Sequence, residues 1–368
     1  MQRRKILRTA PLVVGGAATA GTLAAPAIAQ SMPELKWRLA SSFPKSLDIP
    51  YGAGEVLARY LAEVTDQKFQ IRSFAAGEIV PGLQVADAVQ NGTVELGHTG
   101  GGYYVGKDPT FAFDIALPFG MNTRQQTAWM NWGGGRELMN ELYKDYNIYG
   151  LNCGATGTQM GGWFRKEIKS VDDLKGLKYR IFGLAGEVVS RLGAVPQQLA
   201  AGDIYSALEK GTIDAAEWIG PYDDQKLGFN KVASFYHYPG WFEGGPTPSL
   251  YINLAKWNEL PKAYKAAIEA GCALAQSWML SKYDAENPKA LRELVASGTK
   301  LTPFPQSVME ACYAASLELW AEISAKNPRF KKVYESWRQF RNEEILWFRA
   351  CENAFDNFMA RMSAAGRL

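Results

Sequence analysis

The stretch Asp172-Asp173-Leu174-Lys175-Gly176-Leu177-Lys178-Tyr179-Arg180-Ile181-Phe182-Gly183 decides the fold class. Leu177, Tyr179 and Ile181 recur at every second position, the pattern of a strand with one buried face. Arg180 falls on the opposite face, and Phe182-Gly183 ends the strand. In open α/β sheets, ligands bind just beyond the C-terminal ends of strands. A guanidinium there can grip a carboxylate through two parallel hydrogen bonds. A solvated surface arginine is the alternative reading.

Two neighbouring segments repeat the arrangement. Asp203-Ile204-Tyr205-Ser206-Ala207-Leu208-Glu209-Lys210-Gly211 reads as a short helix closed by glycine. Thr212-Ile213-Asp214-Ala215-Ala216 reads as a short strand, which places Glu217 at a strand end before Trp218. Upstream, Gly157-Thr158-Gln159-Met160-Gly161-Gly162-Trp163-Phe164 has glycines that let the backbone approach a neighbour closely. A structural acid and a glycine-rich bend are the plainer alternatives for these two segments.

Strands and helices alternate outward from this centre. Leu35, Trp37 and Leu39 predict a first strand, and Val56, Leu57, Tyr60, Leu61 and Val64 predict a helix after Pro50. Phe69 and Ile71 open a second strand. A short helix spans Leu83 to Val89 and stops at Asn91-Gly92, and Val94 to His98 forms a third strand. This is the pattern of an α/β protein with helix-covered sheets. After about Leu254 helical spacing dominates to the end. From Lys331 to Arg361 there is neither Pro nor Gly, which predicts one helix of roughly 46 Å.

Arg3, Arg4, Lys5 and Arg8, an apolar stretch from Ala10 to Ala25, and Ala27-Ile28-Ala29 before Gln30 have the order of a removable export signal over residues 1–29. The basic run also resembles the twin-arginine export motif, with an ordinary secretory signal as the alternative. The whole chain has 40 basic and 37 acidic residues. Removing the four basic residues of the signal leaves 36 against 37, a near-neutral protein with no electrostatic footprint for nucleic acid. The remaining length exceeds one comfortable core, so two lobes are expected. Cys153, Cys272, Cys312 and Cys351 form no C-x-x-C pair. Buried free thiols are the ordinary reading, with a disulfide as the alternative. Only two histidines are present, and serine-hydrolase, P-loop and H-E-x-x-H signatures are missing.

Asp173-Leu174-Lys175-Gly176-Leu177-Lys178-Tyr179-Arg180 and Ala207-Leu208-Glu209-Lys210-Gly211-Thr212-Ile213-Asp214 together resemble the solute-binding proteins of tripartite ATP-independent periplasmic (TRAP) transporters. The segments Gly157–Phe164, Glu217-Trp218-Ile219-Gly220-Pro221-Tyr222-Asp223 and Tyr238-Pro239-Gly240-Trp241-Phe242-Glu243-Gly244-Gly245-Pro246 look like one branch of that family. His98-Thr99 and Tyr103 to Pro109 look like it too. That branch binds 2-oxo and 2-hydroxy monocarboxylates such as pyruvate through a metal ion.

The resemblance implies an α/β, two-lobed periplasmic binding protein with an interlobe cleft and a long C-terminal helix. Lobe I would be 33–155 plus 243–283, and lobe II 156–242 plus 284–368. Arg180 would grip the substrate carboxylate. Gln159, Glu217, Glu243 and the Trp218 carbonyl would give oxygens to a cation, and Tyr103 and Tyr104 would close over the ligand. An all-oxygen set suits a hard cation. The resemblance implies Na⁺. Charge counting leans to Ca²⁺, because Glu217, Glu243, a monoanion and Arg180 sum to −2, which is costly in a poorly hydrated space. A membrane permease is the implied partner.

For the C-terminal helix the resemblance leaves two expectations. It straddles both lobes, or its far end exchanges with a second protomer to make a homodimer. Apolar residues fall on the rows Val333, Phe340, Trp347, Ala354 and Trp337, Cys351, Phe358, the second interrupted by Glu344, and the far end stays apolar to Met362. Two other functions fit the same residues: a hydrolase using Glu217 and Glu243 as a carboxylate pair, and a ligand-presenting partner of a sensor kinase.

Overall fold

Trp37 and Leu39 point into the protein from strand β1 (Leu35–Ser41), while Lys36 and Arg38 at the alternate positions face solvent. In the computed structural model, which describes residues 32–367, the strand therefore has the alternation expected of it. The export signal expected at 1–29 lies outside the described residues.

A helix over Pro50–Val64 follows, with Pro50 in its first turn, where a missing N–H costs nothing. It leads into β2 (Phe69–Phe74). With β3 (Leu96–Thr99), β4 (Ile148–Asn152) and β10 (Ser249–Asn253), these strands make a five-stranded sheet in the order β2-β1-β3-β10-β4. β10 is antiparallel to both neighbours and buried along its whole length.

The second sheet has six short strands, ordered β11-β9-β5-β8-β6-β7. They are β5 (Gly162–Phe164), β6 (Lys178–Arg180), β7 (Val195–Gln197), β8 (Ala215–Ala216), β9 (Phe235–Tyr238) and β11 (Lys300–Pro303). The chain crosses from β4 to β5 through residues 153–161 and returns from β9 to β10 through 239–248. These crossing segments bond to each other: Cys153 N to the Pro248 carbonyl at 2.8 Å, Thr156 N to Pro246 at 3.1 Å, and Gln159 N to Glu243 at 3.2 Å.

Beyond Leu254 the chain is helical, with one exception. Lys300–Pro303 forms edge strand β11 against β9, which Lys-Leu-Thr-Pro shows no periodicity to announce. The single helix expected over Lys331–Arg361 is corrected to two, Pro328–Ala350 and Glu352–Ala364. Cys351 interrupts them with ψ −79, and its thiol bonds to the Trp347 carbonyl. No Pro or Gly marks that break. Cys153, Cys272 and Cys312 are buried free thiols, and Cys351 is a half-buried one. Among the described residues no helix is long and apolar enough to cross a membrane.

Candidate functional site

Strands β6 and β8 run parallel with Arg180 opposite Ala216, so both deliver their next side chains at the same edge of the sheet. Glu217 N then donates to the Arg180 carbonyl at 3.1 Å. Arg180 Nη1 donates to the Glu217 carbonyl at 2.7 Å and to Glu217 Oε1, and Nε donates to the Leu199 carbonyl at 3.2 Å. Both side chains are 1 % exposed, which removes the solvated-arginine alternative. None of these bonds uses Nη2, the outer prong of the fork.

Glycine sets two close approaches around this pair. Gly162 has φ +105, and a Cβ there would lie 2.8 Å from the Ala216 carbonyl oxygen. At Gly240 a Cβ would lie 2.7 Å from the Gln159 carbonyl oxygen. Side chains at either position would push apart the segments that carry Gln159, Glu217 and Glu243. Met160 N to the Ile219 carbonyl, at 3.1 Å, completes the lacing.

The result is a narrow cavity of about 30 Å³. Arg180, Gln159, Glu217, Glu243, Trp218 and Tyr103 all line it, so six expected site residues converge. The opposite walls are apolar: Phe43, Ile115, Phe182, Pro246 and Pro248. An apolar pocket with a few convergent polar groups is the usual form of a small-ligand site. The Trp218 ring lies 5.1 Å below the Arg180 guanidinium, holding its plane. Tyr103 packs edge-on against Phe182 at 4.7 Å, and Gln198 Nε2 donates to the Tyr103 carbonyl at 3.1 Å.

Tyr104 is a correction. It does not line the cavity. Its hydroxyl lies 2.8 Å from Thr99 Oγ1 and accepts from Ala86 N, and its ring packs on Phe111 and Tyr251 in the core. Consecutive residues of a tight turn point to different sides, so one Tyr of the pair faces the cleft and the other faces inward. Phe43, Ile115 and Phe182 were not singled out from the sequence. Phe43 stands just past the end of β1, so the strand-end rule that found Arg180 would have found it too.

Burial dominates the electrostatics. It pushes the Glu217 carboxyl up to about 7, Arg180 opposes this, and the nearby Asp224 charge adds to it. Burial and then the charge of Glu217 hold Glu243 well above the usual carboxylate range. Neither histidine lines the cavity, and burial lowers both to about 4, so no imidazole is available there for acid–base work.

The donor set fits a hard cation. Among the described residues, Gln159 Oε1 and Glu217 Oε2 are buried oxygens with no hydrogen-bond partner. Such orphaned acceptors are costly unless something positive meets them. Among the described residues no group of three or more His, Cys, Asp or Glu is arranged to hold a metal. A cation here would therefore rest on two carboxylates and neutral oxygens.

Residues 40–327 match the family described as bacterial extracellular solute-binding protein, family 7. A monocarboxylate 2-oxoacid-binding periplasmic protein of Nostoc sp. is 49 % identical over 360 residues, 97 % of this chain and 99 % of that one. A TRAP transporter solute-binding protein from Bordetella bronchiseptica is 53 % identical with TM-score 0.90, over 91 % of this chain and 99 % of that one. It is described as a dimer with calcium and picolinate in one active site and an apo second site. A TRAP solute-binding protein from Pseudoalteromonas atlantica, with bound sodium and pyruvate, is 37 % identical with TM-score 0.86, over 88 % and 99 %. These are transport proteins rather than enzymes. The chain belongs to family 7 of the bacterial extracellular solute-binding proteins, the two-lobed α/β ligand-capturing subunits of TRAP transporters.

Proposed function

We propose that this chain captures a 2-oxo or 2-hydroxy monocarboxylate such as pyruvate, held between Arg180 and a bridging hard cation, Na⁺ or Ca²⁺. The observation that carries the reading is the pair of orphaned buried oxygens, Gln159 Oε1 and Glu217 Oε2, in the cavity that Arg180 lines. Glu243 and the Trp218 carbonyl would complete the protein's share of the shell. A bound cation would offset the negative charge of the two carboxylates and the substrate. Arg180 keeps Nη2 for the substrate carboxylate, and the aromatic and proline walls exclude water around it. Tyr103 is pushed above its ordinary range by burial, so its hydroxyl stays protonated and able to donate.

We take residues 33–155 plus 243–283 as lobe I and 156–242 plus 284–368 as lobe II. The membership of β10 in the first sheet and β11 in the second supports that division. Ligand contacts drawn from both sides favour the closed state. The closed form is then presented to the permease subunits. Export through residues 1–29, with the Arg3-Arg4 character of a twin-arginine signal, belongs to the same proposal.

The protein would act as a homodimer through its C-terminal helix. Glu352–Ala364 buries no side chain, and Phe355 and Phe358 are 63 % and 50 % exposed. Beside it lies a groove of about 680 Å³ that Trp132, Leu280 and Trp347 help to line.

A thermal-shift screen over carboxylates, sugars and amino acids, with and without Na⁺ or Ca²⁺, tests the ligand class. At a free ligand concentration 100 times Kd, binding stabilises the fold by about 2.7 kcal/mol. Shifts from sugars or amino acids with none from pyruvate or lactate would reject the assignment.

A further inference from the structure

Behind the cavity wall lies a carboxylate that ligand capture as described does not use. Asp224 is 1 % exposed and sits in the first turn of the helix Pro221–Leu227. Three donors hold it: Tyr236 Oη at 2.6 Å and Trp163 Nε1 at 2.9 Å on Oδ2, and Ile219 N at 3.3 Å on Oδ1. The two rings stack at 4.1 Å, so the clamp is rigid. All three donors are neutral, and among the described residues Asp224 makes no ion pair. Helix-terminal N–H groups and such donors favour the charged form. Burial raises Asp224 to about 6, so it is ionised at pH 8. Its charge is among the causes that raise Glu217. A fixed, uncompensated negative charge therefore acts on the cation position through low-dielectric protein.

Resting on the cation-bridged reading of the cleft, we infer that Asp224 is a selectivity residue whose buried charge makes the site prefer a doubly charged cation over a singly charged one. Na⁺ and Ca²⁺ have closely similar radii and both accept oxygen ligands, so cavity size separates them poorly. Charge separates them well. Glu217, Glu243, Arg180 and a monoanionic ligand leave −2 at the site. Ca²⁺ cancels this and Na⁺ does not. Asp224 adds a further negative charge that touches neither cation nor ligand.

Coulomb energy scales with ion charge, so removing Asp224's charge has a predictable signature. If Asp224→Asn weakens Na⁺ binding by a factor f, it should weaken Ca²⁺ binding by about f squared: about tenfold becomes about a hundredfold. A purely structural role, loosening the Trp218–Gly220 turn, would cost both ions the same factor. The experiment is calorimetric titration of each ion into the full chain at pH 8 with saturating pyruvate, for wild type and Asp224→Asn. A larger Ca²⁺ loss supports the assignment, and equal losses overturn it. If the variant does not fold, the wild type still decides: Na⁺ binding as tightly as Ca²⁺ overturns the selectivity. Neither ion binding the wild type would instead reject the bridged cleft itself.

Discussion

Arg180 and Glu217 leave adjacent parallel strands side by side, and Arg180 Nη1 bonds both the backbone carbonyl and the carboxylate of Glu217. The guanidinium that would grip substrate is therefore also the counter-charge of a candidate cation ligand. On the proposed reading, substrate and cation would share this one residue pair, which would couple them.

Arg180→Ala should cost about 2–5 kcal/mol in substrate affinity, because it leaves buried charge unpaired. Arg180→Lys should recover part of this, since a point charge cannot reproduce the fork. The buried pair adds a fold penalty. Without Arg180, Glu217 must stay protonated to remain buried, so the melting-temperature loss should be larger at pH 8 than at pH 6. Wild-type affinity for Arg180→Ala in calorimetry would remove Arg180 from the substrate site.

Glu243→Gln should act oppositely on stability and binding. The carboxylate it replaces is held well above its usual range by burial and Glu217, so its loss should leave the metal-free melting temperature unchanged or raised. Cation and substrate affinity should both fall, by linked factors. Unchanged substrate affinity would mean that no ion bridges to Glu243.

The pH dependence has a definite sign. Glu217 at about 7 lies above its ordinary 4.5, so the folded protein binds more protons than the unfolded chain between those values. The stabilisation is fully present below 4.5 and lost as pH rises through about 7. Asp223, at about 7, and Asp114 and Asp224, at about 6, act in the same direction. The two buried histidines, lowered from 6.5 to about 4, act the opposite way at the acid end, but the four carboxylates together outweigh them, so metal-free protein should melt higher at pH 5.5 than at pH 8. The shift caused by a cation should run the other way, because protons compete for Glu217. Differential scanning calorimetry across that range checks both; a cation shift independent of pH would exclude Glu217 as a ligand.

Truncation after Ala350 removes the exposed helix Glu352–Ala364, which buries no side chain in its own chain. The fold should keep its pyruvate affinity while light scattering reports monomers in place of dimers. A monomer for the intact chain at micromolar concentration would reject the dimer and leave the helix without a partner.

The strand-end position of Arg180 was readable because period-two burial is written in short apolar alternations, and β1 was readable for the same reason; Glu217 follows a two-residue strand, Ala215–Ala216, set apart in sequence by the helix stop at Gly211. Both crossing segments carried glycine, but which backbone each glycine approaches is a long-range fact that spacing does not encode. Tyr103 and Tyr104 were indistinguishable in sequence, since a tight turn separates their directions only in three dimensions. The break at Cys351 left no clear trace, because neither Pro nor Gly marks it and the propensity differences across it are small. Asp224 was hidden for a different reason: its importance rests on Trp163 and Tyr236, which are distant in sequence.

Isothermal titration of pyruvate into the metal-stripped protein, repeated with Na⁺ and with Ca²⁺ in an otherwise ion-free buffer, tests the cation-bridged cleft most directly. The expected result is that pyruvate affinity rises with either ion, by the same factor that pyruvate raises the affinity for that ion. Equal pyruvate affinity with and without cation would contradict it.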